Sequence, residues 1–266
     1  MADNHAAPHH DYHLVNPSIW PLWCSATTVV MMVGAVIWMK GLFGLPEGDH
    51  LVFIIGLFAT LLGMGLWWAD VVKEANQGDH TPVVAIGLRY GMVLFIASEI
   101  MFFAGLFAAY FNLRTATGTW PPAGNGAFDL HGEILFPTVM TALLVLSSVT
   151  CQIAVWRIRA GDRQGMNRAL LITVALGVIF LIGQAYDYTQ LGFGISDGVF
   201  GSTFYVLTGF HGAHVLGGVL MLGVCLYRGS LGQFSAEHHD MVEATSIYWH
   251  FVDVVWILLY SLLYIV

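Results

Sequence analysis

Seven long stretches of the chain carry almost no charge, and short polar segments separate them. Leu14 to Met39 and Leu51 to Ala69 hold no Asp, Glu, Lys or Arg, and Tyr90 to Leu113 holds only Glu99. Ile134 to Trp156 and Ala169 to Tyr186 are uncharged. Gly198 to Tyr227 carries two histidines, and Ala244 to Val266 carries His250 and Asp253. A hydrocarbon core about 30 Å thick is crossed by about 20 apolar residues in a helix, whereas spanning strands are runs of about ten residues with alternating polarity. The pattern predicts an all-α integral membrane protein. Its seven transmembrane helices are expected at about 18–40, 50–72, 84–112, 133–158, 166–190, 199–228 and 240–266. They belong to a single membrane domain over 1–266, which begins with a cytoplasmic tail at 1–17.

Seven spans put the termini on opposite sides, and basic residues decide which side is which. Lys73, Arg89, Arg157, Arg159, Arg163, Arg168 and Arg228 fall on the side of the N-terminus, and only Lys40 and Arg114 fall on the other. The expected orientation is N-in, C-out. Trp67 and Trp68 near the inner end of the second span, and Trp20, Trp23 and Trp38 at the ends of the first, suit either an interfacial belt or contacts between helices. Connections are short except Arg114 to Glu133, where Trp120-Pro121-Pro122 and Gly124-Asn125-Gly126 predict an ordered, turn-rich outer loop. The halves show no internal repeat and no paired broken spans of the kind that mark many secondary transporters. Gly63-Met64-Gly65 and Gly217-Gly218 are expected to let helix backbones approach closely in lipid.

Composition agrees with the membrane reading. Of 266 residues, 57% are hydrophobic and 10% charged, and the formal charge of −8 leaves no electrostatic footprint for nucleic acid. Cys24, Cys151 and Cys225 lie in apolar runs without a Cys-x-x-Cys pair, so they are expected to be small core residues. Met1 to Tyr12 has no Lys or Arg before its first apolar run and does not read as a cleaved signal or transit peptide.

Ionisable groups at membrane depth need a reason, because a charge there costs about 2.5–3.5 kcal/mol even on insertion scales. Glu99 has two readings: a proton-exchanging carboxyl that desolvation keeps neutral, or a neutral acid hydrogen-bonded across a helix interface. His211 and His214, three apart, share one helix face, and His250 lies at similar depth in the last span. Three imidazoles could ligate a metal or haem. No His-Glu-x-x-His pattern or facing carboxylate cluster accompanies them, so a buried polar network is expected instead, with Asp253 orienting His250. No metal site and no catalytic residue is assigned. His5, His9, His10, His13, His80, His238 and His239 all fall on the inner side, interleaved with carboxylates. They read as a proton-collecting surface or as an ordinary solvated face.

Taken in order, these residues closely resemble subunit III of the haem-copper respiratory oxidases, the cytochrome c oxidase subunit III family of the aa3 type. The resemblance rests on His13-Leu14-Val15-Asn16-Pro17-Ser18, Gly87 to Met92, Ser98-Glu99-Ile100-Met101-Phe102-Phe103, Ile195 to Val199, Gly201 to Phe204, Thr208 to Val215 and Tyr248 to Trp256. It implies a chain without a redox centre of its own, since in the family subunit I carries haem and copper and subunit II carries the dinuclear copper. It also implies a division of two helices plus five by a V-shaped cleft filled with phospholipid. Trp68, Glu74, His80 and Arg228 match lipid-contacting positions, and Glu99 matches the family's carbodiimide-reactive carboxyl, which the family does not require for carrying the pumped proton. Related quinol-oxidase subunits lack the first two helices, which this chain has.

The expected function is therefore a non-catalytic subunit of a proton-translocating oxidase that reduces oxygen to water. It stabilises the catalytic subunit, binds structural phospholipid and supports proton uptake from the cytoplasmic side. Its expected partners are subunits I and II, phospholipid and the membrane, and haem a and copper belong to the partner subunits. The expected location is a bacterial cytoplasmic membrane, with the mitochondrial inner membrane second. A self-sufficient proton carrier using Glu99 is the alternative.

Overall fold

A computed structural model describes residues 17–78, 81–120 and 134–265. It contains α1 (Trp20–Lys40), α2 (Leu51–Gln77), α3 (Pro82–Ala116), α4 (Leu135–Arg159), α5 (Arg163–Gln190), α6 (Gly198–Ser230) and α7 (Asp240–Tyr260), which ends in a π-helical turn at Ser261–Ile265. All seven are long and apolar enough to cross a membrane, as the charge-free runs predict. Among the described residues the only β-type pairing is an isolated bridge, Leu42 to Leu45. Several helices outrun their apolar runs, because backbone hydrogen bonds continue into water until a cap stops them. Thus α2 ends at Gly78, which caps it at φ 91°. At the other kind of end, the Asp162 side chain accepts the Gly165 N–H at 2.8 Å and starts α5 at Arg163, before its apolar run begins. Most of the loop between α3 and α4 lies outside the described residues.

The chain divides into two compact units between Gly87 and Leu88. In the first, α1 and α2 pack as an antiparallel hairpin. Gly34 lies against the backbone of Val52 and Phe53, and Gly56 against the backbone of Met31, so any Cβ at either position meets main chain. Gly63 sits beneath the Trp23 ring, whereas Gly65 faces open space. Trp20 Nε1 donates to Asp70 Oδ2 at 2.9 Å, Trp23 Nε1 to the Ala59 carbonyl at 3.0 Å, and Thr60 Oγ1 to Thr27 Oγ1 at 3.0 Å. Trp38 packs on Phe53. These three tryptophans serve helix contacts, while Trp67 and Trp68 stay outward.

In the second unit α4, α5, α6 and α7 form a closed ring, each touching two neighbours. Trp249, Trp256, Phe180, Phe204, Leu144 and Tyr264 fill it. Trp249 fits because Gly177 and Gly218 leave room for its ring, and its Nε1 donates to Ser147 Oγ at 2.9 Å. Trp256 Nε1 donates to Thr141 Oγ1 at 2.9 Å. The C-terminal part of α3 docks onto this ring through long side chains: Phe103 against Phe251, and the Tyr110 hydroxyl donating to the Leu262 carbonyl at 2.9 Å. Cys151 and Cys225 are buried here as free thiols.

Candidate functional site

The membrane-depth carboxyl of α3 meets an imidazole of α6. Glu99 Oε2 and His214 Nε2 are 2.9 Å apart, with one-fifth or less of each side chain exposed. His214 Nδ1 lies 2.6 Å from the Phe210 carbonyl, which can only accept, so Nδ1 carries a proton. A neutral ring then leaves Nε2 as acceptor and Glu99 as donor, and an imidazolium makes the couple an ion pair. In both forms one proton lies between Oε2 and Nε2. Phe102 and Phe103 close over the ring with centroids at 6.1 and 4.9 Å, and the Tyr248 hydroxyl donates to the His214 carbonyl at 3.2 Å. An interhelical hydrogen bond in lipid contributes about 0.6 kcal/mol on average.

The remaining members of the expected polar network face other helices. His211 is fully buried inside the ring of helices beside Phe180 and Trp256, its Nε2 donating to the Val252 carbonyl at 3.2 Å and its Nδ1 without a partner among the described residues. His250 turns to α4, its Nε2 lying 3.3 Å from Gln152 Oε1. Asp253 lies beside Ser148 and His250. So the four side chains divide into the α3–α6 couple, an α4–α7 group and a central histidine. Among the described residues no three His, Cys, Asp or Glu converge as a metal would require.

At the ends of α3, α4 and α7 lies a charge cluster; sequence reading used Arg89 and Arg159 as topology markers and placed His239 on a proton-collecting or solvated surface, and it gave Glu243 no role. Glu243 is its hub. Oε1 accepts from Arg159 Nε at 2.9 Å and faces His239 Nε2 at 3.0 Å, and Oε2 lies 3.4 Å from Arg89 Nη2. Arg89 also pairs with Asp240 at 2.8 Å. The signal was present in the sequence: acidic residues open α7, where they suit the positive end of the helix dipole. Which arginines reach them depends on helix packing.

The expected lipid-contacting residues are found individually. Trp68 is 61% exposed, and Glu74 is half-buried in the last turns of α2. His80 lies outside the described residues, as do His5, His9, His10 and His13. His239 is buried in the charge cluster, and His238 is exposed with its backbone N–H donating to Ser235 Oγ. Arg228 is mostly buried: Nε donates to Gln233 Oε1 at 2.8 Å, Nη1 points at Met241 Sδ at 3.2 Å, and the guanidinium lies over the Phe234 ring.

Comparison with known proteins extends over nearly the whole chain. Residues 10–266 match the family model described as cytochrome c oxidase subunit III. The chain is similar to the cytochrome c oxidase subunit 3 of Dugong dugon, with 43% identity, and to that of Rattus norvegicus, with 42%. A third relative, from Osphranter robustus, is 44% identical. Each alignment covers 96% of this chain and 97% of the relative. The motifs, the seven spanning helices and this match agree: the chain belongs to the cytochrome c oxidase subunit III family, a multi-pass membrane component of an oxidoreductase complex of the respiratory chain.

Proposed function

We propose that the chain is a non-catalytic subunit of a proton-pumping oxidase: it braces the catalytic subunit I, lies in one complex with subunit II, and holds structural phospholipid. It carries no redox centre, and haem a and copper reside in its partners. It lies N-in, C-out, as the basic-residue asymmetry supports, and it helps keep proton uptake fast on the cytoplasmic side through the inner histidines. The observation that carries this reading is the family match from residue 10 to the end of the chain. Trp68, Glu74 and His80 on the first unit and Arg228 on the second serve as lipid contacts. Interfacial indoles and a guanidinium suit that task. A bacterial cytoplasmic membrane is our location. The mammalian sources of the relatives make the mitochondrial inner membrane the competitor, which membrane fractionation of the source cells distinguishes.

The test is to purify the tagged chain in mild detergent and record the reduced-minus-oxidised spectrum with and without its companions. Haem a bands that accompany two larger subunits, and vanish when the chain is isolated from them, are expected. A colourless, partner-free protein overturns the reading. For the uptake role, replacing His9, His10 and His13 together by Ala is expected to slow steady-state turnover most at alkaline pH, and an unchanged profile removes it. The proton shared by Glu99 and His214 favours one second reading, a self-sufficient proton carrier. A Glu99-dependent flux from the chain alone in liposomes supports that alternative, and none removes it.

A further inference from the structure

The hairpin of α4 and α5 leaves a groove of about 310 Å³ at its connected end, at the small end of the range of ligand pockets, about 300–1,000 Å³. It has a charged rim and an apolar wall. Arg157 and Arg168 stand at the rim, in the last turn of α4 and the second turn of α5, where such helices leave the hydrocarbon. Toward the middle of the helices the wall is Ile153 and Thr150 on α4 and Ile172 on α5. These lie four and seven residues from Arg157 and four from Arg168, so each helix presents one stripe running from charge to hydrocarbon. The Thr150 hydroxyl is already bonded to Thr173 Oγ1 at 2.8 Å and asks for no polar ligand.

The rim has excess positive charge. Asp162 is the acidic residue of the lining, and its carboxylate is committed: Oδ1 caps α5 through the Gly165 N–H, and Oδ2 lies 3.3 Å from Arg157 Nη1. One carboxylate thus stands against two guanidiniums and the positive end of the α5 dipole. Arg157 and Asp162 keep 58% and 41% of their side chains exposed, so their pairing is weak and leaves guanidinium donors for another anion. A ligand that satisfies the whole groove needs an anionic head of phosphate geometry and an attached hydrocarbon tail. Such a ligand lies at this depth in any membrane.

We propose that the α4–α5 groove binds one anionic phospholipid, its phosphate held by Arg157 and Arg168 and an acyl chain lying on Ile153 and Ile172. The site is separate from Trp68, Glu74, His80 and Arg228, and losing lipid at those positions leaves it intact.

The test uses the complex as purified, stripped of lipid and titrated with phosphatidylglycerol under native mass spectrometry. Phosphatidylcholine of the same chains and millimolar inorganic phosphate serve as competitors. Replacing Arg157→Gln and Arg168→Gln together is expected to weaken one phosphatidylglycerol-binding event per copy by about 25-fold, about fivefold for each basic residue removed near a membrane surface. Ile153→Trp keeps both arginines and fills the tail channel, and it is expected to weaken the same event. Unchanged phosphatidylglycerol affinity in both variants overturns the proposal. So does equal binding of phosphatidylcholine, or displacement by inorganic phosphate with Ile153→Trp behaving as wild type, which marks a free-anion site.

Discussion

The two compact units solve the same problem, holding helices together in a solvent as apolar as their side chains, in opposite ways. In the first, α1 buries only Gly34 and Ile37, and α2 only Gly56, Thr60 and Gly63. Affinity there comes from backbone touching backbone, with indole and hydroxyl hydrogen bonds along the seam. In the second, α7 alone buries Thr245, Ser246, Trp249, Phe251, Trp256 and more, and its tryptophans are anchored by hydroxyls of α4. Lipid offers no hydrophobic reward for either arrangement, so close packing and satisfied polar groups decide both. A two-helix hairpin can pack tightly only where side chains vanish. A ring of four encloses a volume that large rings must fill.

The contrast sharpens into mutations, the most damaging first. Trp249→Ala empties the centre of the ring and is expected to cost about 3–5 kcal/mol, read as unfolding of the chain in bicelles. Trp249→Phe keeps most of the volume but removes the bond that Ser147 Oγ accepts, while the hydroxyl still donates to the Leu144 carbonyl at 2.6 Å, and about 1 kcal/mol is expected. Equal losses for the two variants count against the hydrogen bond as a separate contribution. In the hairpin, Gly56→Leu drives a side chain into the Met31 backbone at an expected cost of about 1–3 kcal/mol, whereas Gly65→Leu, which meets open space, stays within about 0.5 kcal/mol. If both leave stability unchanged, backbone contact is not what holds α1 to α2.

Between the buried rings and the exposed charges lies the Glu99–His214 couple. A double-mutant cycle with Glu99→Gln and His214→Ala is expected to give a coupling of about 0.6–1.7 kcal/mol, the range for hydrogen bonds between helices in lipid. Zero coupling removes the shared proton as a structural element. A smaller effect belongs to the charge cluster. Arg89 and Arg159 are half exposed, so Arg159→Gln is expected to cost at most about 1 kcal/mol, and less at high salt. A cost that salt leaves unchanged points to packing of the arginine stem instead.

Much of this was legible before any coordinate. Charge-free runs located every spanning helix, and the ordered motifs around Glu99, His211 and Trp249 pointed to the family. Helix ends were less legible, because hydropathy marks where hydrocarbon stops and a backbone helix stops where a cap such as Gly78 or Asp162 ends it. Gly63 and Gly218 stood out as doublet members, but Gly34 and Gly56, which make the backbone contacts of the hairpin, are isolated in sequence and gave no such signal.

Sequence by itself determined that seven helices are long and apolar enough to span a membrane and which ionisable residues fall within them, because transfer into hydrocarbon depends on local composition. Tertiary structure alone decided the partners. His211 and His214 are only three residues apart, so their side chains point about 60° apart around α6. In a helix flanked on two sides that angle is enough to send His211 to Val252 of α7 and His214 to Glu99 of α3. Pairings of this kind depend on which helices stand next to one another, and no local pattern along a single helix encodes that.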